Sequence, residues 1–300
     1  MGFKDPLRKA LPEFLLERIR LWKRKGRRRA LEAQRRYGKT WNQESLTAAF
    51  RSMGMEQGST WMVHSSLGAI GYVEGGAETV VKALLNAVGP EGHLLMPSSP
   101  IAGLQLDFAR EKREVDLRTI PSAMGSISEV FRCQSGVLRS AHPTEPVLAI
   151  GPNAEWLTEG HLGQKTPYNA YSPYRRMMEL NGYILYLGVT LDNAGTHLHT
   201  LEDALDFPYP IYAPELFPFQ LTDVQGGVHQ VKTRVHNPEW SKKRRCDELL
   251  PLFDGQGVLR RAQLGKAECL LLNAQAMFEC MIKAFEERGV TMYHPLGNAH

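Results

Sequence analysis

The sequence predicts an α/β fold in three layers, helices on both faces of a central sheet, with a hairpin-bearing C-terminal portion. Three observations carry this. Short apolar runs alternate with stretches of helical period along most of the chain. Residues 182–189 are a continuous apolar run, the pattern of a strand covered on both faces. Residues 216–235 alternate in polarity around Gly226-Gly227, the signal of two paired strands.

Taken in order, residues 40–53 read as a capped helix with Trp41, Leu46 and Phe50 inward. Residues 60–66 form a strand with Trp61, Met62 and Val63 as its apolar run and Ser65 and Ser66 at its end. A glycine-rich turn follows, then a helix over 77–88 with Val80, Val81, Leu84, Leu85 and Val88 on one stripe. Gly89-Pro90-Glu91-Gly92 is a turn and 93–97 a second buried strand. Residues 100–120 read as an irregular polar loop, long enough to suggest function. Pro121 and Ser122 open a helix running through Cys133, residues 147–151 a short strand, and Pro152 another helix. Residues 196–205, 241–253 and 271–287 read as helices. There is no internal repeat, low-complexity tract or evident linker.

With 300 residues, 43% hydrophobic and 23% charged, the chain has the composition of a globular protein with a sizeable core. No apolar run is long enough to span a bilayer. The start Met1-Gly2-Phe3-Lys4-Asp5 lacks an apolar signal core, and Pro6 takes the place of the hydroxyl residue that a lipidation signal needs, so the expected location is cytoplasmic. Cys133, Cys246, Cys269 and Cys280 are scattered and read as reduced thiols. No Cys or His pair has structural-zinc spacing beside another such pair, so no metal is expected.

The net charge of +4 hides an asymmetry: residues 1–44 carry 14 Lys or Arg against 5 Asp or Glu, and the remainder 22 against 27. Leu11, Phe14, Leu15, Ile19, Leu21 and Trp22 fall on one side of a helical wheel, with Lys9, Arg20, Lys23 and Arg24 largely on the other. This basic amphipathic arm, residues 1–42, suits either an anionic membrane surface or packing against the core or a homodimer partner. Nucleic acid is not an expected partner, since no recognition module follows. One domain is expected over 43–290, and a tail over 291–300.

Two patterns carry chemistry. A strand, a glycine turn at Gly75-Gly76 and a helix start can serve as a plain turn or hold an anion on free backbone N–H groups. His199 can accept a proton near neutral pH. Glu202, three residues on, shares its helical face and can orient the imidazole, although such spacing also marks ordinary surface pairs. No G-x-S-x-G occurs, which argues against a serine hydrolase of the nucleophile-elbow kind.

The wording His64-Ser65-Ser66-Leu67, then Gly71-Tyr72-Val73-Glu74-Gly75-Gly76-Ala77-Glu78, resembles the aminoglycoside 3-N-acetyltransferases, which use acetyl-CoA and are distinct from the GNAT enzymes. Further matches follow in that family's order: Asp116-Leu117-Arg118 with Pro121-Ser122-Ala123-Met124-Gly125, Arg139-Ser140-Ala141-His142-Pro143-Thr144, Thr166-Pro167-Tyr168, Ser172-Pro173-Tyr174, His199-Thr200-Leu201-Glu202 and Leu264-Gly265-Lys266-Ala267. The resemblance covers roughly residues 43–287.

The resemblance implies a mixed central sheet and acetyl transfer, or transfer of another short acyl group, from CoA to an aminoglycoside amine. No cofactor is permanently bound. His199 is implied as general base with Glu202 beside it. Ser65 and Ser66 are implied to hold the pantetheine arm or the oxyanion, Gly75 and Gly76 the CoA phosphates, and Asp116, His142 and Tyr168 the acceptor. Asp116 can equally pair with Arg118. No cysteine stands in a motif to form a covalent intermediate, so direct transfer is expected. Glu145 and Pro146 replace the His-Ser common in the family after Thr144, and Gly68 replaces a larger, often basic residue. The basic arm and the altered segment favour an alternative acceptor, a nucleotide-linked amino sugar. A non-catalytic CoA-binding scaffold is the remaining rival.

Overall fold

The computed structural model describes residue 26 and residues 40–293. The basic arm expected over 1–42 lies outside these apart from residues 26 and 40–42. The strands are β1 (Thr60–Ser65), β2 (His93–Pro97), β3 (Glu114–Asp116), β4 (Leu138–Arg139), β5 (Val147–Ile150), β6 (Tyr183–Leu187), β7 (Phe217–Thr222), β8 (Val228–Thr233), β9 (Leu259–Leu264) and β10 (Ala267–Asn273). The helices packed on the central sheet include α1 (Gln43–Ser52), α2 (Gly76–Val88), α3 (Ser126–Arg132), α4 (Ala154–Glu159), α5 (Pro173–Glu179), α6 (Thr200–Ala204) and α7 (Ala274–Arg288).

Seven strands form one mixed sheet in the order β4-β5-β2-β1-β6-β10-β9. Its centre, β2-β1-β6, is parallel, and β5 and β10 join antiparallel on either side. Strand alternation splits the core into two. Met62, Leu95, Ile184, Tyr186 and Leu272 face α4, α5, α6 and α7. Trp61, Val63, Leu94, Leu185 and Leu271 face α1, α2 and α3. These are the three layers that the sequence predicts. On α2, Val80, Val81 and Leu84 have no exposed surface, and each such burial is worth about 1.5–3 kcal/mol. The hairpin expected around Gly226-Gly227 is β7-β8, which joins β3 in a second, three-stranded sheet.

Four expectations are corrected. Residues 100–120 are not irregular throughout: Gln105–Glu111 is helical and Glu114–Asp116 pairs parallel with β7. The helix expected over 271–287 begins three residues later, because Leu271–Asn273 complete β10. Leu270, Leu271 and Leu272 are all buried, so neither strand nor helix period shows in them. The Asn273 side chain then caps α7, its Oδ1 accepting from Ala276 N at 2.9 Å. The helix expected over 241–253 is broken, since Arg244 bridges the backbone of Tyr293 and the Arg245 N–H donates to Met292 O at 2.7 Å. Finally, Thr291, Met292 and Tyr293 are buried, so the core runs past the boundary set at 290.

Candidate active site

β6 ends at Leu187, and the chain then turns through a short helix (Leu191–Ala194) and a 3-10 turn (Gly195–His199) into α6. His199 therefore sits just beyond the carboxyl end of a central parallel strand, where α/β sheets place their ligands. Its Nδ1 lies 2.7 Å from Glu202 Oε2, and both side chains are almost wholly buried. The other carboxylate oxygen, Oε1, accepts from the Tyr293 hydroxyl at 2.5 Å. On the far side of the ring, Arg244 Nη1 is 3.0 Å from His199 Nε2. A guanidinium can only donate, so Nε2 is the acceptor and the ring proton is on Nδ1, facing Glu202.

The electrostatics agree with a neutral imidazole. Burial holds the His199 pKa well below its ordinary value, and the Arg244 charge lowers it further. Burial pushes the Glu202 carboxyl up to about 8, against the opposing effects of the Tyr293 hydrogen bond and the Arg244 charge. The two donors facing that carboxylate favour its ionised form.

Aromatic rings fix the imidazole. Tyr168 stacks on it with centroids 5.0 Å apart, and His236 lies 4.2 Å away on a tilt. Asp203 holds this wall by accepting from Tyr168 N and from the Tyr212 hydroxyl, each at 2.8 Å. Gln105 ties a further pair together: its Oε1 accepts from His236 N at 3.0 Å and its Nε2 donates to Glu145 Oε1 at 2.7 Å. Glu145 Oε2 and His236 Nε2 are buried without a hydrogen-bond partner. Burial pushes the Glu145 carboxyl up to about 7, and the Arg244 charge opposes this.

Two cavities meet here. One, of about 490 Å³, is lined by His199, Arg244, Lys242, Arg245, Asp192 and Asn193 among others. The second, of about 530 Å³, is lined by Ser65, Ser66, His64, Met124, Thr190 and again Asn193. Ser65 and Ser66, expected to face a ligand, thus line this second cavity, whereas His199 lines the first. The Ser66 N–H is spent on Leu187 O at 2.9 Å, which leaves its hydroxyl as the available donor.

Other expected site residues stand elsewhere. Asp116 forms a two-point pair with Arg118, at 2.7 and 3.0 Å, on the second sheet. His142 is fully buried and stacked on His161, with Nε2 3.2 Å from Thr233 Oγ1 and Nδ1 accepting from Glu145 N at 3.2 Å. It anchors the Glu145 segment and borders neither cavity. Gly75 and Gly76 adopt φ of +73° and +62°, and a Cβ on Gly75 would meet Thr79 Oγ1, so the turn itself demands glycine. Tyr168 is buried against the His199 ring, not set in the cavity wall.

Sequence reasoning missed Arg244, Tyr293 and His236. Arg244 lies in a run of four cations that reads as a solvated surface, and Tyr293 lies beyond the last recognisable motif. Among the described residues, His199, Glu202 and His236 are the three whose donor atoms could converge on a cation, all within 4.8 Å of one another. The Arg244 guanidinium on Nε2 opposes a second positive charge there.

The profile of a family described as aminoglycoside 3-N-acetyltransferase matches residues 62–286. The chain belongs to the aminoglycoside 3-N-acetyltransferase family. It is 39% identical over 178 residues to aminoglycoside N(3)-acetyltransferase III of Salmonella sp, a match covering 55% of this chain and 61% of that relative's length. The chain therefore spans under two thirds of that relative. A second relative, aminoglycoside N(3)-acetyltransferase III of Pseudomonas aeruginosa, is 31% identical over 264 residues, covering 81% of this chain and 93% of the relative. The crystal structure of aminoglycoside acetyltransferase AAC(3)-Xa superposes with a TM-score of 0.73 at 27% identity, over 85% of this chain and 96% of that one. The family match takes in His199, Glu202 and Arg244 but stops short of Tyr293. Among the described residues no helix is long and apolar enough to cross a membrane.

Proposed function

We propose that the protein is an acetyl-CoA-dependent N-acetyltransferase that acylates an amino group on an amino-sugar ring, with an aminoglycoside, the acceptor its relatives are named for, as the first to test. The observation that supports this most is His199, neutral and held by Glu202, on the wall of a cavity that shares Asn193 with the cavity lined by Ser65 and Ser66. One cavity suits the thioester, beside Ser65 and Ser66; the other suits the amine. The reading places the reaction in the cytoplasm, in keeping with four free cysteines.

Transfer is direct on this reading. The unprotonated amine attacks the thioester carbonyl, a C–N bond forms and the C–S bond breaks. The surplus amine proton passes to His199 Nε2 and from there to the departing thiolate. Glu202 stabilises the transient imidazolium, and Tyr293 holds Glu202 in place. The Ser65 and Ser66 hydroxyls serve the developing oxyanion.

Thiol release from acetyl-CoA with kanamycin and, separately, with glucosamine 6-phosphate as acceptor tests this. H199Q is expected to lose at least about 100-fold in kcat, within the usual span for a lost general base, while acetyl-CoA still binds. Unchanged turnover would remove His199 from the chemistry. Double-reciprocal plots are expected to intersect; parallel lines would replace direct transfer with a covalent intermediate. A second acceptor, an acidic amino sugar such as a nucleotide-linked one, is favoured by the cations lining the His199 cavity.

A further inference from the structure

The proton acceptor of His199 is occupied. Arg244 donates to Nε2 at 3.0 Å, the atom that must take the amine proton. Arginine stays protonated, so it cannot relay that proton and has to leave for the reaction to proceed. Among the described residues no ion pair includes Arg244. Glu145, whose carboxyl feels the Arg244 charge, is bonded through Oε1 to Gln105 and Ser99, its Oε2 is unpartnered, and it forms no ion pair with Arg244.

The surroundings add charge of the same sign. Lys242, Arg244 and Arg245 line the cavity against a single carboxylate, Asp192. Arg245 spends a donor on the Arg244 carbonyl at 2.9 Å and is in no ion pair among the described residues. Lys242 pairs with Glu239 at 2.6 Å, but both are exposed and the pair is screened by water. Such a wall repels an acceptor that carries several ammonium groups and attracts one that carries an acid.

We propose that the acceptor is an amino sugar bearing an acidic group, and that this group binds Arg244 and draws it off His199 Nε2, so that the acceptor amine takes its place. The inference rests on the N-acyl transfer proposed above and narrows its acceptor. The two-point geometry of a guanidinium suits a carboxylate, phosphate or sulfate alike. The phosphates of CoA are the other source of such an anion. The length of the pantetheine arm separates them from the thioester, whereas Arg244 is one hydrogen bond from the base. An acceptor whose acid lies near its amine fits that distance; CoA does not.

The test compares kcat/KM with acetyl-CoA for glucosamine, glucosamine 6-phosphate, UDP-linked glucosamine and kanamycin, in the wild type, R244A and R244K. The wild type is expected to prefer a phosphate-bearing acceptor over glucosamine by about 10- to 150-fold, the range of a charge-assisted hydrogen bond. R244A should bring that ratio close to one with the KM for acetyl-CoA unmoved, and R244K should restore part of it. If R244A does not fold, seen as loss of acetyl-CoA stabilisation on melting, the wild-type and R244K ratios decide. Kanamycin used as well as the phosphate-bearing acceptors would overturn the proposal and leave the N-acyl transfer standing. So would R244A raising the KM for acetyl-CoA with the acceptor ratio intact, since the anion would then be on CoA. No turnover with any acceptor, or an H199Q variant as active as wild type, would defeat the underlying reading, and the proposal with it.

Discussion

At the scale of single residues, Tyr293 is the most informative addition to the site. It contributes one hydroxyl, placed by the 2.5 Å bond to Glu202 Oε1. That bond lowers the Glu202 pKa, so losing it moves the pKa further up, in the direction burial already drives it. Y293F is expected to reduce kcat about 10-fold and to shift the acidic limb of the kcat/KM profile to higher pH, since Glu202 must be ionised to support an imidazolium. A profile that keeps its acidic limb would assign Tyr293 to packing alone. The sequence made His199 and Glu202 readable because they sit three apart in one motif. Tyr293 was not readable: its partner is 91 residues away, and no local pattern announces a contact at that separation.

At the scale of elements, the parallel centre of the sheet was readable, because 60–65, 93–97 and 183–187 are apolar runs bounded by turn residues. The β9-β10 hairpin was not. Leu259–Leu264 reads as an exposed mixture, with Arg260 and Arg261 on it, and β10 merges into the helix that follows. The turn joining them carries a sharp expectation. Gly265 has φ +60°, and a Cβ there would lie 2.5 Å from the Ile70 carbonyl oxygen and 2.9 Å from Trp41 Nε1. G265A is expected to destabilise the fold by about 2–3 kcal/mol, from the strained backbone and the contact with a carbonyl that cannot move alone. A urea midpoint equal to wild type would show that the turn can relax.

At the scale of the whole molecule, the buried histidines set the response to acid. Burial lowers the pKa of His64, His93, His142, His161, His197, His199 and His236. An unfolded chain takes up those protons around pH 6.5, whereas the folded chain resists them, so their contribution to stability is present above pH 6.5 and lost as the pH falls. Three buried carboxyls act in the opposite sense, with Glu145 pushed up to about 7, Glu202 to about 8 and Asp203 to about 6. The histidines outnumber them, so the net effect is a loss of stability as the pH falls below 6.5. Urea midpoints at pH 7.5, 6.5 and 5.5 are expected to fall steeply in the last interval. A flat series would mean that the histidine rings find charge partners as the pH drops.

Asn193 lines both cavities. On the proposed reading, donor and acceptor are therefore neighbours across a single residue. A compound that joins the sulfur of CoA through a short acyl linker to an amino sugar would occupy both spaces at once. Its two halves would share one loss of translational freedom, so it should bind far more tightly than either alone. Swapping the sugar half between a cationic and an acidic ring would then turn the charge of the Arg244 wall into a direct difference in inhibitor strength.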